Sequence, residues 1–260
     1  MLIDTCTYVG HWPFRKLPFN TLNELCESAK KRMVTHIFCT NLNAVFYKDT
    51  MEGNYELLEE LKSYKGDVVV YPFAVINPVY VCALEDIKKC AELGFKGIEL
   101  TPQYHNYSLD SDEARAAYKL CGELGLFVKV SAGFENVRQR HIIDKTEEPS
   151  GAEIAAMAKA SDKTVTIVNA HFPTALGPNF KEVFSARDNI FMDVMRTDSF
   201  VGRNFDDAIA YAGYDRLVFG TMHPFKYIEP QFVKLFSTKA ATDEGKEKIL
   251  YKNMQRVLGL

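Results

Sequence analysis

The chain has 260 residues, of which 47% are hydrophobic and 25% charged, with a formal net charge of −3 and a pI near 6.1. That composition supplies a substantial core, and the length matches the about 250 residues of a (β/α)8 barrel. Basic residues cluster only in short runs such as Lys30-Lys31-Arg32 and Lys88-Lys89, which read as solvated helix faces, so no nucleic-acid partner is expected. No apolar run reaches the roughly 18 residues of a membrane span, so no membrane partner is expected either.

In chain order, short apolar, β-branched runs predict parallel strands at 2–8, 36–40, 68–76, 97–101, 127–131, 164–170, 190–194 and 217–220. Helical three- and four-residue spacing lies between them. Leu22, Leu25 and Ala29 share one face, as do Leu57, Leu58, Leu61 and Tyr64. Leu84, Ile87, Cys90 and Ala91 form another, and Ala117, Leu120, Cys121 and Leu124 a fourth. Thr21 with Glu24 and Ser150 with Glu153 predict capping boxes. Gly94 and Gly125 stand where a left-handed residue closes a helix.

Strands alternating with helices imply a parallel sheet, and eight units close into a TIM barrel filling a single domain, 1–260. An open doubly wound sheet is the alternative, but no GxGxxG turn follows the first strand. The six cysteines, Cys6, Cys26, Cys39, Cys82, Cys90 and Cys121, form no CxxC pair, and the chain runs at once into Met1-Leu2-Ile3-Asp4 without a leader pattern. Reduced thiols and a cytoplasmic location are therefore expected.

Barrel active sites lie at the C-terminal ends of the strands. Two long loops are expected there, 9–20 and 132–149. The first strand carries Asp4, Cys6 and Tyr8, which strict alternation places on one face. The fourth ends in Glu99-Leu100-Thr101, followed by Gln103-Tyr104-His105-Asn106-Tyr107, a run rich in hydrogen-bonding side chains. The fifth ends Lys129-Val130-Ser131, the sixth Asn169-Ala170-His171 and the eighth Gly220-Thr221-Met222-His223. Glu99 reads either as an acid of raised pKa or as a cross-strand partner of Lys129.

These strand ends resemble those of the amidohydrolase-related family, which includes aminocarboxymuconate-semialdehyde decarboxylase and hydroxybenzoate-type decarboxylases. The family opens Ile-Asp-x-His-x-His with a Gly following; this chain has Ile3-Asp4-Thr5-Cys6-Thr7-Tyr8 and Gly10. Gly94-Phe95-Lys96-Gly97-Ile98-Glu99-Leu100, then Pro102 and Tyr107-Ser108-Leu109-Asp110, match its fourth unit. Ala170-His171 matches the sixth strand, and Phe219-Gly220-Thr221-Met222-His223-Pro224 stands for Phe-Gly-Ser-Asp-x-Pro in the eighth. The closing segment 249–260 is also similar to the family's. The two first-strand histidines have become Cys6 and Tyr8, the fifth-strand histidine Ser131 and the eighth-strand aspartate Met222; His171 alone persists.

The resemblance implies a hydrolase or decarboxylase acting on a small carboxylated, cyclic or aromatic compound, and a homodimer. The losses imply chemistry without a metal cofactor, because a catalytic ion needs about three protein ligands. In that reading His171, His105 and His223 are the candidate catalytic groups. Cys6, Tyr8, Trp12, Tyr104, Ser131, Arg138 and Met222 are the candidate substrate contacts. Two alternatives stand beside it: a non-catalytic relative that binds a small molecule or serves as a partner subunit, and a metalloenzyme with zinc rebuilt on Cys6 and His171 and a third ligand from His223 or His105.

Overall fold

The computed structural model describes residues 1–136, 138–170, 177–197 and 203–260. Eight strands pair in parallel in chain order: β1 (Ile3–Val9), β2 (His36–Asn41), β3 (Val69–Val75), β4 (Gly97–Leu100), β5 (Phe127–Ser131), β6 (Thr166–Asn169), β7 (Ile190–Asp193) and β8 (Leu217–Val218). The edges meet through the Thr5 amide donating to Phe219 O at 2.9 Å and the Tyr8 amide donating to His223 O at 2.8 Å. Closure leaves no open edge, and the fold is the expected TIM barrel.

Helices cover the barrel. Thr21 and Ser150 each form the predicted capping box, with Glu24 and Glu153. Gly94 and Gly125 follow helices Ala83–Glu92 and Asp112–Leu124 at φ +86° and +71°, where a Cβ would be strained. Leu22, Leu25, Ala29, Leu57, Ile87, Cys90, Ala117 and Cys121 are buried. Leu84 and Leu124, in a first and a last turn, are exposed instead. An apolar stripe meets the sheet along the middle of a helix and runs past it at the ends.

Three apolar layers result. The largest lies between sheet and helices. A second fills the lower barrel interior with Ile3, Phe38, Phe73, Phe127, Ile167 and Phe191, and the Phe38 and Phe73 rings stack at 5.0 Å. The third, at the opposite end, holds Cys6, Tyr8, Trp12, Phe134, Met222 and Phe225. No helix among the described residues is long and apolar enough to cross a membrane.

Candidate functional site

The β1 strand sets the geometry of the third layer. Its pairing with β2 runs Asp4 to Ile37 and then Thr7 to Cys39, so β1 accommodates one extra residue between them. A bulge of this kind breaks strict alternation, and the expected shared face of Asp4, Cys6 and Tyr8 is corrected. Cys6 and Tyr8 stand together, with Sγ 3.4 Å from Oη. Asp4 turns to the strand-8 end, where its carboxylate accepts from the Thr221 amide (3.1 Å) and hydroxyl (2.6 Å), and from the Cys6 amide (3.1 Å). Burial outweighs those bonds and pushes Asp4 up to about 7. Asp193, against which Gly220 leaves no room for a Cβ, is pushed by burial to about 6.

Behind Tyr8 lies a buried polar chain. Tyr8 Oη donates to Glu99 Oε1 at 2.8 Å, and Ser131 Oγ donates to the same oxygen at 2.5 Å. Glu99 Oε2 accepts from Thr40 Oγ1 at 2.5 Å and pairs with Lys129 Nζ at 2.8 Å. Burial is the largest influence on Lys129 and disfavours its ammonium, but the charge of Glu99 and the hydrogen bond to it, with the neighbouring Cys6 and Cys39, together hold the pKa above its ordinary value. Burial likewise pushes the Tyr8 phenol and the Cys6 thiol well up. At neutral pH Tyr8 and Cys6 therefore keep their protons, and Lys129 keeps its charge. Asn169 Nδ2 donates to Cys6 Sγ at 3.0 Å, while its Oδ1, also buried, has no hydrogen-bond partner among the described residues.

A roof of rings covers this chain. Tyr8 meets Phe134 edge-on at 5.2 Å and Phe225 at 5.6 Å. Trp12 packs on both, at 5.1 and 4.9 Å, and on Phe14, Phe46 and Tyr104. Met222, at φ +55°, is buried in the same cluster. Cys6, Tyr8, Ser131 and Met222 are each 0% exposed, and Trp12 is 5%. Tyr104 spans from this roof to Asp144, which its hydroxyl meets at 3.2 Å.

Two of the three predicted catalytic histidines, His223 and His105, turn away from this point. His223 reaches outward, with Nε2 2.9 Å from Ser28 Oγ, Nδ1 3.1 Å from Lys226 O, and its ring edge-on to Phe19. His105 Nε2 lies 3.0 Å from Val45 O and Nδ1 3.5 Å from Thr101 Oγ1. Burial lowers the pKa of both. His171 lies outside the described residues. Arg138 is exposed on the fifth loop. The Arg of the first loop that does reach the roof is Arg15, paired with Glu135 at 2.6 Å and donating to Phe225 O at 3.0 Å.

Sequence reasoning missed a cavity of about 380 Å3 beside the roof. Phe225, Lys226, Tyr227, Gln231 and Lys234 line it, and no Asp or Glu among the described residues does. Lys234 Nζ donates to Met195 O at 3.2 Å, and the buried Gln231 Oε1 has no hydrogen-bond partner among the described residues. The missed signal is helical: Gln231, Lys234 and Leu235 share the buried stripe of helix Glu229–Ser237, and two of the three are polar.

The amidohydrolase-2 family model matches residues 40–260. The chain belongs to the amidohydrolase family. Solved structures superpose on it over nearly its whole length. A 2,6-dihydroxybenzoate decarboxylase from Rhizobium superposes at TM-score 0.70 and 14% identity, covering 99% of this chain and 98% of that one. For 5-carboxyvanillate decarboxylase from Sphingomonas paucimobilis the values are 0.74 and 11%, over 100% and 99%. A dihydroxybenzoic acid decarboxylase from Polaromonas sp., with bound manganese and 2-nitroresorcinol, gives 0.70 and 14%, over 100% and 97%. No curated protein sequence matches.

The manganese of that last relative invites a test of fit in this chain. Cys6 Sγ already accepts from Asn169, and Tyr8 and Ser131 both donate to Glu99. The Lys129 ammonium, 2.8 Å from Glu99, would repel a divalent cation in the same chamber. A thioether such as Met222 is a poor ligand for a hard cation. No three His, Cys, Asp or Glu side chains among the described residues stand together as a ligand set. The described residues do not fit the ion.

Proposed function

We propose that this amidohydrolase-family chain takes up a small carboxylated, cyclic or aromatic compound at the C-terminal end of its barrel, without metal chemistry at the β1, β5 and β8 positions. The observation that carries this reading is the cavity beside the roof. Among the described residues two lysines and no acid line it, and Phe225 and Tyr227 add flat apolar walls. An anionic ring suits that lining by charge and shape, and a ring hydroxyl would satisfy Gln231 Oε1. The aromatic carboxylates named for the relatives belong to the same chemical class.

Burial favours binding without turnover. The strand-end positions where the family holds its reacting groups are spent on one another here, beneath a closed roof. A second reading, hydrolysis or decarboxylation with His171 moving the proton, is favoured by one observation. Asn169 Oδ1, a buried acceptor with no partner among the described residues, lies two residues before His171 in the chain.

Calorimetry with 2-hydroxybenzoate and 2,6-dihydroxybenzoate, followed by chromatography of the same mixtures, separates the readings. Saturable binding with the ligand recovered intact, weakened by Lys234→Met, supports the first. Consumption that His171→Ala abolishes establishes the second, and no binding of either compound overturns both.

A further inference from the structure

We propose that the Phe225 side chain is a gate between the lysine-lined cavity and the buried polar chain of Tyr8, Ser131 and Glu99, and that a turn of its ring admits small anions from the one to the other. Among the described residues two belong both to the cavity lining and to the apolar cluster that encloses Cys6 and Tyr8: Met195 and Phe225. Of the two, Phe225 is the one whose ring rests on Tyr8, edge-on at 5.6 Å. Along that line a single ring separates the cavity from the residue whose hydroxyl begins the polar chain.

The backbone around this ring is held. Arg15 Nη2 donates to Phe225 O at 3.0 Å, the Lys226 amide donates to Met222 O at 3.2 Å, and Glu135 ties Arg15 to the fifth loop. Movement therefore falls to the side-chain torsions, which hop between staggered wells without displacing the loop. The surrounding rings guide that turn rather than interlock with it. Tyr8 and Trp12 meet Phe225 edge-on, and Phe134 stacks on it at 5.5 Å with 30° between the planes.

The chain behind the gate is sealed, and it carries a reporter. Cys6, Tyr8 and Ser131 are fully buried, and Cys6 Sγ lies 3.4 Å from Tyr8 Oη, so modification of the thiol marks arrival at the hydroxyl. The cavity in front supplies a charge signature. Lys226 and Lys234 line it, with no acid among the described residues, and such a lining raises the local concentration of anions. The inference takes from the function proposed above only the cavity as the place of entry.

Thiol labelling of the full chain in a Cys82→Ser background tests the gate, with modification of Cys6 followed by mass spectrometry of its peptide. The reagents are methanethiosulfonates bearing an ethylsulfonate or an ethyltrimethylammonium group, each rate divided by that on the unfolded chain. Phe225→Ala is expected to speed modification of Cys6 about tenfold or more, and Phe225→Leu to speed it less. The anionic reagent then outruns the cationic one severalfold, and adding Lys234→Met narrows the preference. Phe134→Ala removes a ring just as close to Tyr8, at 5.2 Å, that does not line the cavity, and it should show no such preference. Thermal melts verify that each variant is folded, and Phe225→Leu, which keeps most of the apolar volume, decides the matter if Phe225→Ala is not. Cys6 as slow in the folded Phe225 variants as in the background chain, equal relative rates for the two reagents, or the same preference in Phe134→Ala overturns the proposal. No ring carboxylate enters this experiment, so its failure leaves the calorimetric result standing, and absence of hydroxybenzoate binding leaves the gate standing.

Discussion

Lys129 Nζ and Glu99 Oε2 face each other at 2.8 Å inside the barrel, on residues that are register partners across β4 and β5, and both side chains are fully buried. Neither charge reaches water, so each is tolerated only because the other is there. The Lys129 ammonium also lies 4.8 Å from the Tyr8 ring centroid and 5.4 Å from that of Phe73, over the ring faces. The pair thus joins the lower aromatic layer to the polar chain above it.

Removing one partner should expose that dependence. Lys129→Met leaves Glu99 buried with hydrogen bonds but no counter-charge, and is expected to cost about 3–5 kcal/mol. Lys129→Met combined with Glu99→Gln should recover at least half of the loss. Urea denaturation of the two single variants and the double variant checks this. Additive losses would mean that the two groups do not interact.

Asp4 gives a pH signature. Its folded pKa, about 7, lies above the unfolded value near 3.8, so the folded state binds the extra proton between those limits. Stability from this group is therefore full below about pH 4 and is lost as pH rises toward 7. Surface carboxylates with lowered pKa, such as Glu56 and Glu153, act in the opposite direction, so the comparison must be differential. Relative to Asp4→Asn, the wild type is expected to lose about 2 kcal/mol between pH 5 and pH 7. Chemical denaturation at both pH values reads it; a constant difference would contradict the raised pKa.

Of the six free cysteines only Cys82 is exposed. Burial holds the thiols of Cys26 and Cys90 up at about 11 and 12, and a hydrogen bond to Asp86 raises Cys82. A thiol reagent should modify one equivalent of native protein, faster as pH climbs from 7 to 9, and six after denaturation. Cys82→Ser should remove the native equivalent. Rapid loss of a second thiol would show that the roof over Cys6 opens.

Elemental analysis of untagged protein prepared without chelators addresses the metal. Because Cys6, Tyr8, Ser131 and Met222 do not make a ligand set with the described residues, zinc, manganese and iron are each expected well below one equivalent, and Cys6→Ala should change nothing. Stoichiometric metal lost on Cys6→Ala would instead establish a centre rebuilt on Cys6 and His171.

Much of the architecture was legible from local chemistry. The eight β-branched runs locate each strand to within two residues at either end, and the caps at Thr21 and Ser150 follow from hydroxyls that satisfy orphan amides wherever the chain begins a helix. The cross-strand reading of Glu99 and Lys129 was also legible, since parallel neighbours align by simple register. The direction of the histidines was not. His223 and His105 follow strand ends, as site residues do, yet their rings turn to Ser28 and Val45, because chain direction after a strand is set by loop packing rather than by periodicity.

By itself the sequence determined a parallel (β/α)8 barrel and the identity of the groups at its strand ends, because hydrophobic period, capping and strand termination are short-range properties. Only the tertiary structure decided how those groups are used. The extra residue in β1 separates Asp4 from Cys6 and Tyr8, the loops carrying Trp12, Phe134 and Phe225 converge from distant parts of the chain to close the roof, and Lys226 and Lys234 come together beside it. The first two depend on contacts between residues far apart in sequence, whose geometry no local pattern encodes.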